Sequence, residues 1–310
     1  MIGNQPFTRL GLVGAGRWGR NYISTISASP NAQLCRLASR SEQAHNLVDE
    51  HCTLSPDWRD VVEAGDIDGL VLAVPPQVQV EIALHAIEAE LPLLLEKPMA
   101  TKLEDAIKIV EAAARHKVPV MVDHIYLFHP AYIALKHQLK DHSGIRSIRT
   151  LSGNAGPYRS TLPPLWDWAP HDIAMCLDLL DERPTTIEAH KLTSRHAPAP
   201  IGDVFQILLE FPSGITADIT TGNAMSKKKR EFIVECTDDS WVFDDLAAAK
   251  LTRHNTGRVK PIQIQEGQPL DAVLQTFISS LSEPEQITSG AAFSADVVAV
   301  IAAANEQLTS

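Results

Sequence analysis

The chain has 310 residues, 45% of them hydrophobic; that length exceeds one ordinary core and the composition is normal for a globular protein, so two domains are expected. Lys and Arg number 27 against 38 Asp and Glu, and the formal charge of -11 disfavours nucleic acid phosphates and anionic membranes as partners. Cys35, Cys52, Cys176 and Cys236 stand far apart with no C-x-x-C pair, which argues for reduced thiols and against a disulfide scaffold or a metal site.

The first residues pass straight into a strand-like run without the pattern of a signal peptide, and no apolar run approaches the roughly 18 residues of a membrane span. A cytoplasmic location is the expectation. From residue 8 to about 122, apolar runs alternate with helical patterns. Strands are predicted at 8–13, 33–38, 69–74, 92–96 and 119–122, with helices near 18–28, 42–51, 78–90 and 103–116. That rhythm predicts an α/β domain over 1–122, a Rossmann doubly wound parallel sheet.

Beyond residue 123 the pattern changes. A helix at about 131–140 precedes a strand, an irregular Gly/Pro/Trp-rich stretch runs over 153–170, and a helix follows at about 171–180. Partial alternation at 186–192, 204–211, 215–221, 231–235 and 262–265 predicts a largely antiparallel sheet, closed by helices near 270–281 and 291–307. Residues 123–310 therefore read as a C-terminal α+β domain, and His196 to Pro200 as a loop.

Gly14-Ala15-Gly16-Arg17-Trp18-Gly19 follows the first strand and opens the first helix, the context in which a G-x-G-x-x-G pattern signals a dinucleotide. Gly14 permits the tight turn, Gly16 clears a path for the pyrophosphate, Gly19 lets helix and strand approach, and the helix N-terminus offers amides and a favourable dipole. About 20 residues on, an NAD-preferring site places an acidic residue. This chain has Ser39-Arg40, whose hydroxyl and guanidinium suit a 2′-phosphate, so NADP(H) is favoured and NAD(H) left open.

Val74-Pro75-Pro76 and Leu95-Glu96-Lys97-Pro98, taken with Gly14 to Gly19 and the later Asp167-x-x-x-His171, resemble in order and separation the glucose-fructose oxidoreductase, inositol dehydrogenase and MocA family over nearly the whole chain. Gly16-Arg-Trp-Gly-Arg-Asn and Asp123-His-Ile-Tyr-Leu-Phe-His-Pro-Ala131 look most like members acting on sugar nucleotides. The resemblance implies that Val74, Pro75, Glu96 and Lys97, with Arg17 and Trp18, line the cofactor site and that the Lys97-Pro98 peptide is cis. It further implies that Lys97 holds its ammonium near the reacting substrate oxygen, that His171 exchanges that oxygen's proton, and that Asp167 positions substrate or His171. Hydride transfer from a carbinol requires such a proton carrier, and imidazole, with an unperturbed pKa of about 6.5, is suited to it.

Asp167 also reads as a helix cap, because Pro170 favours first-turn geometry. The family's commonest form has glycines before the aspartate and one shortly before the histidine; here Trp166, Trp168 and Pro170 surround the motif instead, and Trp166 is a candidate wall of the substrate pocket. His124 and Tyr126 fall on one side of the segment after the last Rossmann strand if it is extended, and are candidate substrate contacts; His129 is a further one. The basic run Lys227 to Arg230 could reach phosphates but reads as a solvated turn.

The expected activity is hydride transfer between nicotinamide and a carbohydrate-like alcohol or ketone, whether sugar, polyol or sugar nucleotide, in a homodimer or homotetramer by analogy with the family. A cofactor-sensing regulator of the same fold and a reductase of a non-sugar compound are the alternatives, since fold does not fix substrate.

Overall fold

The computed structural model describes residues 7–140, 144–158, 162–195, 202–282 and 290–309. Two compact units emerge: Met1–Asp123 with Leu270–Ala295, and His124–Pro269 with Asp296–Ser310. A single cut after residue 122, as the sequence suggests, therefore misses one return of the chain.

The first unit runs β1 (Thr8–Val13), α1 (Arg17–Ala28), β2 (Ala32–Ala38), β3 (Thr53–Ser55), α2 (Arg59–Val62), β4 (Gly69–Leu72), α3 (Pro76–Glu88), β5 (Leu93–Glu96), α4 (Leu103–His116) and β6 (Val120–Asp123). Its six strands are ordered β3-β2-β1-β4-β5-β6 and every pairing is parallel. The order reverses direction at β1, so the crevice beside the carboxyl ends of β1 and β4 is the place where such sheets take ligands. β4, β5 and β6 are buried at every residue, which is why their sequences are unbroken Val/Leu-rich runs rather than alternating ones. The covering helices show the complementary stripe: Tyr22, Ile23 and Ile26 on α1, and Ala106, Ile109, Ala112 and Ala113 on α4.

The helix expected over 42–51 is only a 3₁₀ turn, Glu42–Asn46, capped by the Ser41 hydroxyl accepting from Gln43 N–H. Among the residues of that turn only Ala44 is buried, too little apolar surface to hold a longer helix in place. The short β3 and α2 were not foreseen; three and four residues give periodicity too little length to register.

The second unit starts with a 3₁₀ turn at Ile125–Phe128 and continues through α5 (Pro130–Leu139), β7 (Ile145–Ala155), α6 (Pro164–Leu180), β8 (Thr186–Arg195), β9 (Gly202–Glu210), β10 (Thr216–Gly222), β11 (Ala224–Cys236), β12 (Ser240–Asp244), β13 (Leu251–Asn255) and β14 (Arg258–Pro261). Its eight-stranded sheet has the order β14-β13-β12-β11-β7-β10-β9-β8 and is antiparallel except where β7 meets β10. Alternation on β7 sends Ile148, Thr150 and Ser152 to the buried side, and α6 lies across β7, β9 and β10.

Three sequence expectations change here. The stretch 153–170 is not irregular throughout: β7 extends to Ala155, and α6 starts at Pro164, seven residues before His171. Pro164 fits the first helical position, whereas Pro170 sits inside the helix and withholds a donor from the Trp166 carbonyl. Burial of Leu165, Trp166, Trp168, Ala169, Ile173 and Leu177 outweighs that lost bond. Lys227 to Arg230 lie within the long strand β11 rather than in a turn: Lys229 and Arg230 pair with Gly153 and Ser152 of β7, and Lys227 and Lys228 fall in the register shift between Ala224 and Lys229. The outermost strand is β14 at 258–261, and 262–265 is not a strand. The loop expected at His196 to Pro200 lies outside the described residues.

α7 (Pro269–Ser280) returns to the first unit: Phe277 sits against Gly69, and Gln275 bonds Ser29 and Asn31. α8 (Ala291–Thr309) ends in the second unit, where Gln307 donates to Ile187 O and accepts from Ala189 N–H. No helix among the described residues is long and apolar enough to cross a membrane.

Candidate active site

In the first unit every candidate residue falls at the carboxyl edge of the sheet, because each follows a parallel strand. Gly14 follows β1, adopts φ +102°, and a Cβ there would run into the Ala73 carbonyl oxygen. A Cβ on Gly19 would strike the Gly14 carbonyl oxygen, so Gly14 and Gly19 are demanded by the fold itself. Gly16 is different: a Cβ there meets nothing within 4 Å. Packing does not require it, and α1 begins there with no side-chain cap and no acidic residue in its first turn. Bare amides, an open approach and the positive end of a helix fit a pyrophosphate.

Arg17 is exposed and Trp18 half-buried on the first turn of α1. Ser39, just past β2, bonds its backbone N–H to Ser55 O at 2.9 Å and accepts from Ser41 N–H through its hydroxyl. Arg40 is exposed beside it. Val74 and Pro75 lie between β4 and α3, where Pro75 O accepts from Val78 N–H and Gln79 N–H.

Glu96 ends β5, is 8% exposed, and its carboxylate accepts from the Lys97 backbone N–H at 2.7 Å. The Lys97-Pro98 peptide is cis, as the resemblance implies. Sequence reasoning missed what holds this turn. The buried Gln79 amide on α3 donates to Glu96 O at 2.9 Å, Pro98 O at 3.1 Å and Met99 O at 3.2 Å. A polar residue inside the apolar stripe of α3 was the available signal. Also missed was Asp123 at the end of β6, 1% exposed, which accepts from the Tyr22 hydroxyl at 2.6 Å. Burial pushes its carboxyl up to about 6, against the opposing pull of the Tyr22 hydrogen bond and the Lys97 cation.

In the second unit the candidates converge on α6. Asp167 and His171 are four residues apart, hence on one helical face, and both are partly exposed on a helix whose other faces are largely buried. Asp167 is not the cap: the N-cap is Pro163, whose carbonyl accepts from Asp167 N–H at 3.2 Å, and the acid lies in the first turn, where the helix dipole favours it. The segment with His124 and Tyr126 is a 3₁₀ turn instead of extended, and it buries His124 to 2%. His129 caps α5, accepting from Ala131 N–H, and pairs with Asp245 at 3.2 Å.

Tyr126, His171, Trp168, Asp172, Ser152, Met175, Arg230, Glu231, Phe232 and Phe243 line a small cleft. The Tyr126 ring stands edge-on to His171 with centroids 5.2 Å apart. Trp166 is 4% exposed and belongs to the core; its neighbour Trp168 is the tryptophan in the cleft wall. Asp172, 1% exposed, accepts from Ser152, which shares a 2.9 Å hydrogen bond with Thr221. Burial pushes Asp172 up to about 6 despite those hydroxyls and the Arg230 charge. Among the described residues no cluster of His, Cys, Asp and Glu could hold a metal ion.

Comparison with known proteins identifies the family. Residues 8–124 match the oxidoreductase family with an NAD-binding Rossmann fold, GFO/IDH/MocA, and residues 162–242 match the GFO/IDH/MocA C-terminal domain. The chain therefore belongs to the GFO/IDH/MocA oxidoreductase family. Inositol 2-dehydrogenase 4 of Saccharopolyspora erythraea is 29% identical over 225 residues, 68% of this chain and 65% of that one, so the chain spans just under two thirds of that relative's length. A Magnetospirillum magnetotacticum crystal structure, provisionally described as an oxidoreductase, superposes with a TM-score of 0.89 at 35% identity, over 96% of this chain and 99% of that one. Biliverdin reductase from Synechocystis sp., solved with biliverdin and NADP+, shares the fold with a TM-score of 0.83 at 19% identity, over 97% and 98% of the two chains.

Proposed function

We propose that this chain is an NAD(P)-dependent oxidoreductase acting on a carbohydrate-like alcohol or ketone, with NADP(H) as the favoured cofactor. The observation that carries the proposal is Gly16, a glycine that nothing in the folded chain requires, at an uncapped helix start beside the reversal in strand order. The inositol dehydrogenase relative supports a polyol or sugar as substrate.

When bound, nicotinamide supplies or accepts the hydride; the protein must move a proton and stabilise charge. Lys97, on the turn clamped by Gln79 and Glu96, presents a fixed ammonium to the substrate oxygen and favours its oxyanion character. His171 takes or returns the hydroxyl proton, its ring oriented by the edge of Tyr126. Asp167, one turn earlier on the same face, favours the imidazolium that forms. Ser39 and Arg40 receive the 2′-phosphate. We propose a homodimer or homotetramer, to be read from sedimentation mass.

Lys97→Met and His171→Ala are each expected to lower turnover at least about 100-fold while NADPH affinity stays within a factor of a few. The test is NADPH fluorescence titration followed by a sugar and polyol panel read at the reduced-nicotinamide absorbance. Full turnover by both variants on the substrate so found would overturn the assignment.

A further inference from the structure

Two acids and one cation stand where β5 and β6 end. Glu96 and Asp123 are register partners on these adjacent parallel strands, so their side chains leave the same face of the sheet, and both are buried. Lys97 follows Glu96 directly and is half-buried. Tyr22 completes the group: it lies on α1, after β1, yet its hydroxyl donates to Asp123 Oδ2 at 2.6 Å, three strands away in the sheet order. The phenol is 0% exposed and the acid 1%, so the bond forms away from bulk water.

The chemistry proposed above uses Lys97 and gives Asp123 no task. Packing alone would favour an apolar residue here, because burial disfavours a carboxylate. Asp123 Oδ2 has its donor in Tyr22, and the Glu96 carboxylate has the Lys97 backbone N–H. Asp123 Oδ1, in contrast, is buried with no hydrogen-bond partner among the described residues. One phenol hydrogen bond does not offset the burial of a carboxylate, and the cation whose charge acts on Asp123 is Lys97. Burial raises the carboxyl to about 6 against the Tyr22 hydrogen bond and the Lys97 charge, so it is ionised at neutral pH and neutral in mild acid. The ionisable groups that face it are the Tyr22 phenol from α1, Glu96 from β5 and Lys97 from the turn after β5; His124 follows it in the chain.

We propose that Asp123, oriented by Tyr22, is a positioning residue for Lys97: its carboxylate is the counter-charge that keeps the ammonium at the ligand edge of the sheet. This rests on the oxidoreductase proposal for what Lys97 does, but not for where its ammonium is held. Tyr22 in turn ties that charge to α1, the helix whose start is assigned to the pyrophosphate.

The test reads Lys97 directly. Trace acetylation with acetic anhydride, followed by peptide mass spectrometry, compares Lys97 with the exposed Lys227 and Lys228 of the same chain between about pH 5 and 8. The ratio cancels what pH does to amines in general. In the wild type, Lys97 is expected to be protected at neutral pH and to lose that protection in a step as pH falls through about 6. Asp123→Asn, nearly isosteric but without charge, should label severalfold faster at Lys97 at neutral pH and show no step. Tyr22→Phe removes a bond that favours the ionised acid, so the step should move to higher pH, a signature that loosened packing alone does not give.

Turnover gives a second reading. In ketone reduction with NADPH, His171 must enter protonated, so its titration raises the rate as pH falls, whereas neutralising Asp123 lowers it. On the ketone product that the sugar and polyol panel yields, Asp123→Asn should lose about tenfold or more in kcat while NADPH affinity stays within a factor of a few. A melting transition and an NADPH titration like the parent's certify that each variant is folded; if Asp123→Asn does not fold, the wild-type step and its move in Tyr22→Phe decide. A wild type without the step, or a step that survives Asp123→Asn, overturns the proposal. The expected labelling without turnover on any panel member would leave the counter-charge standing and count against the oxidoreductase proposal, whereas turnover with a flat labelling ratio would do the reverse.

Discussion

Gly16 and Gly19 look alike in the sequence and do different work. A methyl group on Gly19 would enter the Gly14 carbonyl oxygen, so Gly19→Ala is expected to lower thermal stability sharply, as backbone atoms have nowhere to move. Gly16→Ala should melt like the parent, since a Cβ meets nothing, yet bind NADPH roughly tenfold more weakly if that space belongs to pyrophosphate; unchanged NADPH affinity would count against the site. Asp172 carries a pH signature. Its carboxyl rises from 3.8 to about 6 because burial disfavours the charge. The folded state thus prefers the protonated acid, and the stability it contributes is complete below about pH 4 and lost as pH climbs through 6. The span corresponds to about 3 kcal/mol at most. Denaturant melts of the wild type and Asp172→Asn should therefore diverge between pH 4 and 7, the wild type losing ground as pH rises; parallel profiles would refute the assignment. Asp123, buried beside Tyr22, is shifted the same way and adds to the wild-type slope in both proteins.

Elements, rather than single residues, fix the reactive turn. The turn after β5 is short and carries Lys97, and its carbonyls are tied to α3 by one side chain, Gln79, through three contacts. Gln79→Leu matches the volume but removes that donor from the buried turn, at about 1–3 kcal/mol. Turnover is expected to fall by a larger factor than NADPH affinity, because the loosened turn bears the ammonium whereas the glycine turn after β1 is untouched. If kcat holds and only the melting temperature drops, Gln79 is a scaffold residue alone. On α6 the sequence misled for a physical reason. Proline is commonest in the first turn, which placed the helix start near Pro170, but the buried face from Leu165 to Leu177 carries the helix through it. That shift makes Asp167 and His171 neighbours on one face instead of a cap and a helix start.

At the scale of the whole molecule, cofactor binding couples to stability by mass action. A saturating ligand at 100 times its Kd adds about 2.7 kcal/mol, so NADPH should raise the melting temperature, and by more than NADH at equal concentration if the exposed Arg40 just past β2 receives the 2′-phosphate as proposed. Arg40→Asp should reverse that order by placing a carboxylate where the 2′-phosphate would sit; an NADH preference in the wild type would overturn the cofactor assignment. The return of α7 to the first unit is a whole-molecule feature with no local mark. The stripe of Leu270, Val273, Leu274 and Phe277 predicts a helix with one buried face but not which sheet it covers.

Local physics determined much of this protein from sequence alone. Strand-length apolar runs, amphipathic stripes, the glycine turn and the Glu96-Lys97-Pro98 turn are written in residues close together, and so the parallel sheet, its ligand edge and the family were legible there. Side chains brought together across long separations were not. Tyr22 meets Asp123, Gln79 meets the turn after β5, Ser152 meets Asp172, and Arg230 reaches Trp168 only after strands pair and helices dock. Tertiary structure decided those contacts because they depend on register and burial, which no window of neighbouring residues encodes.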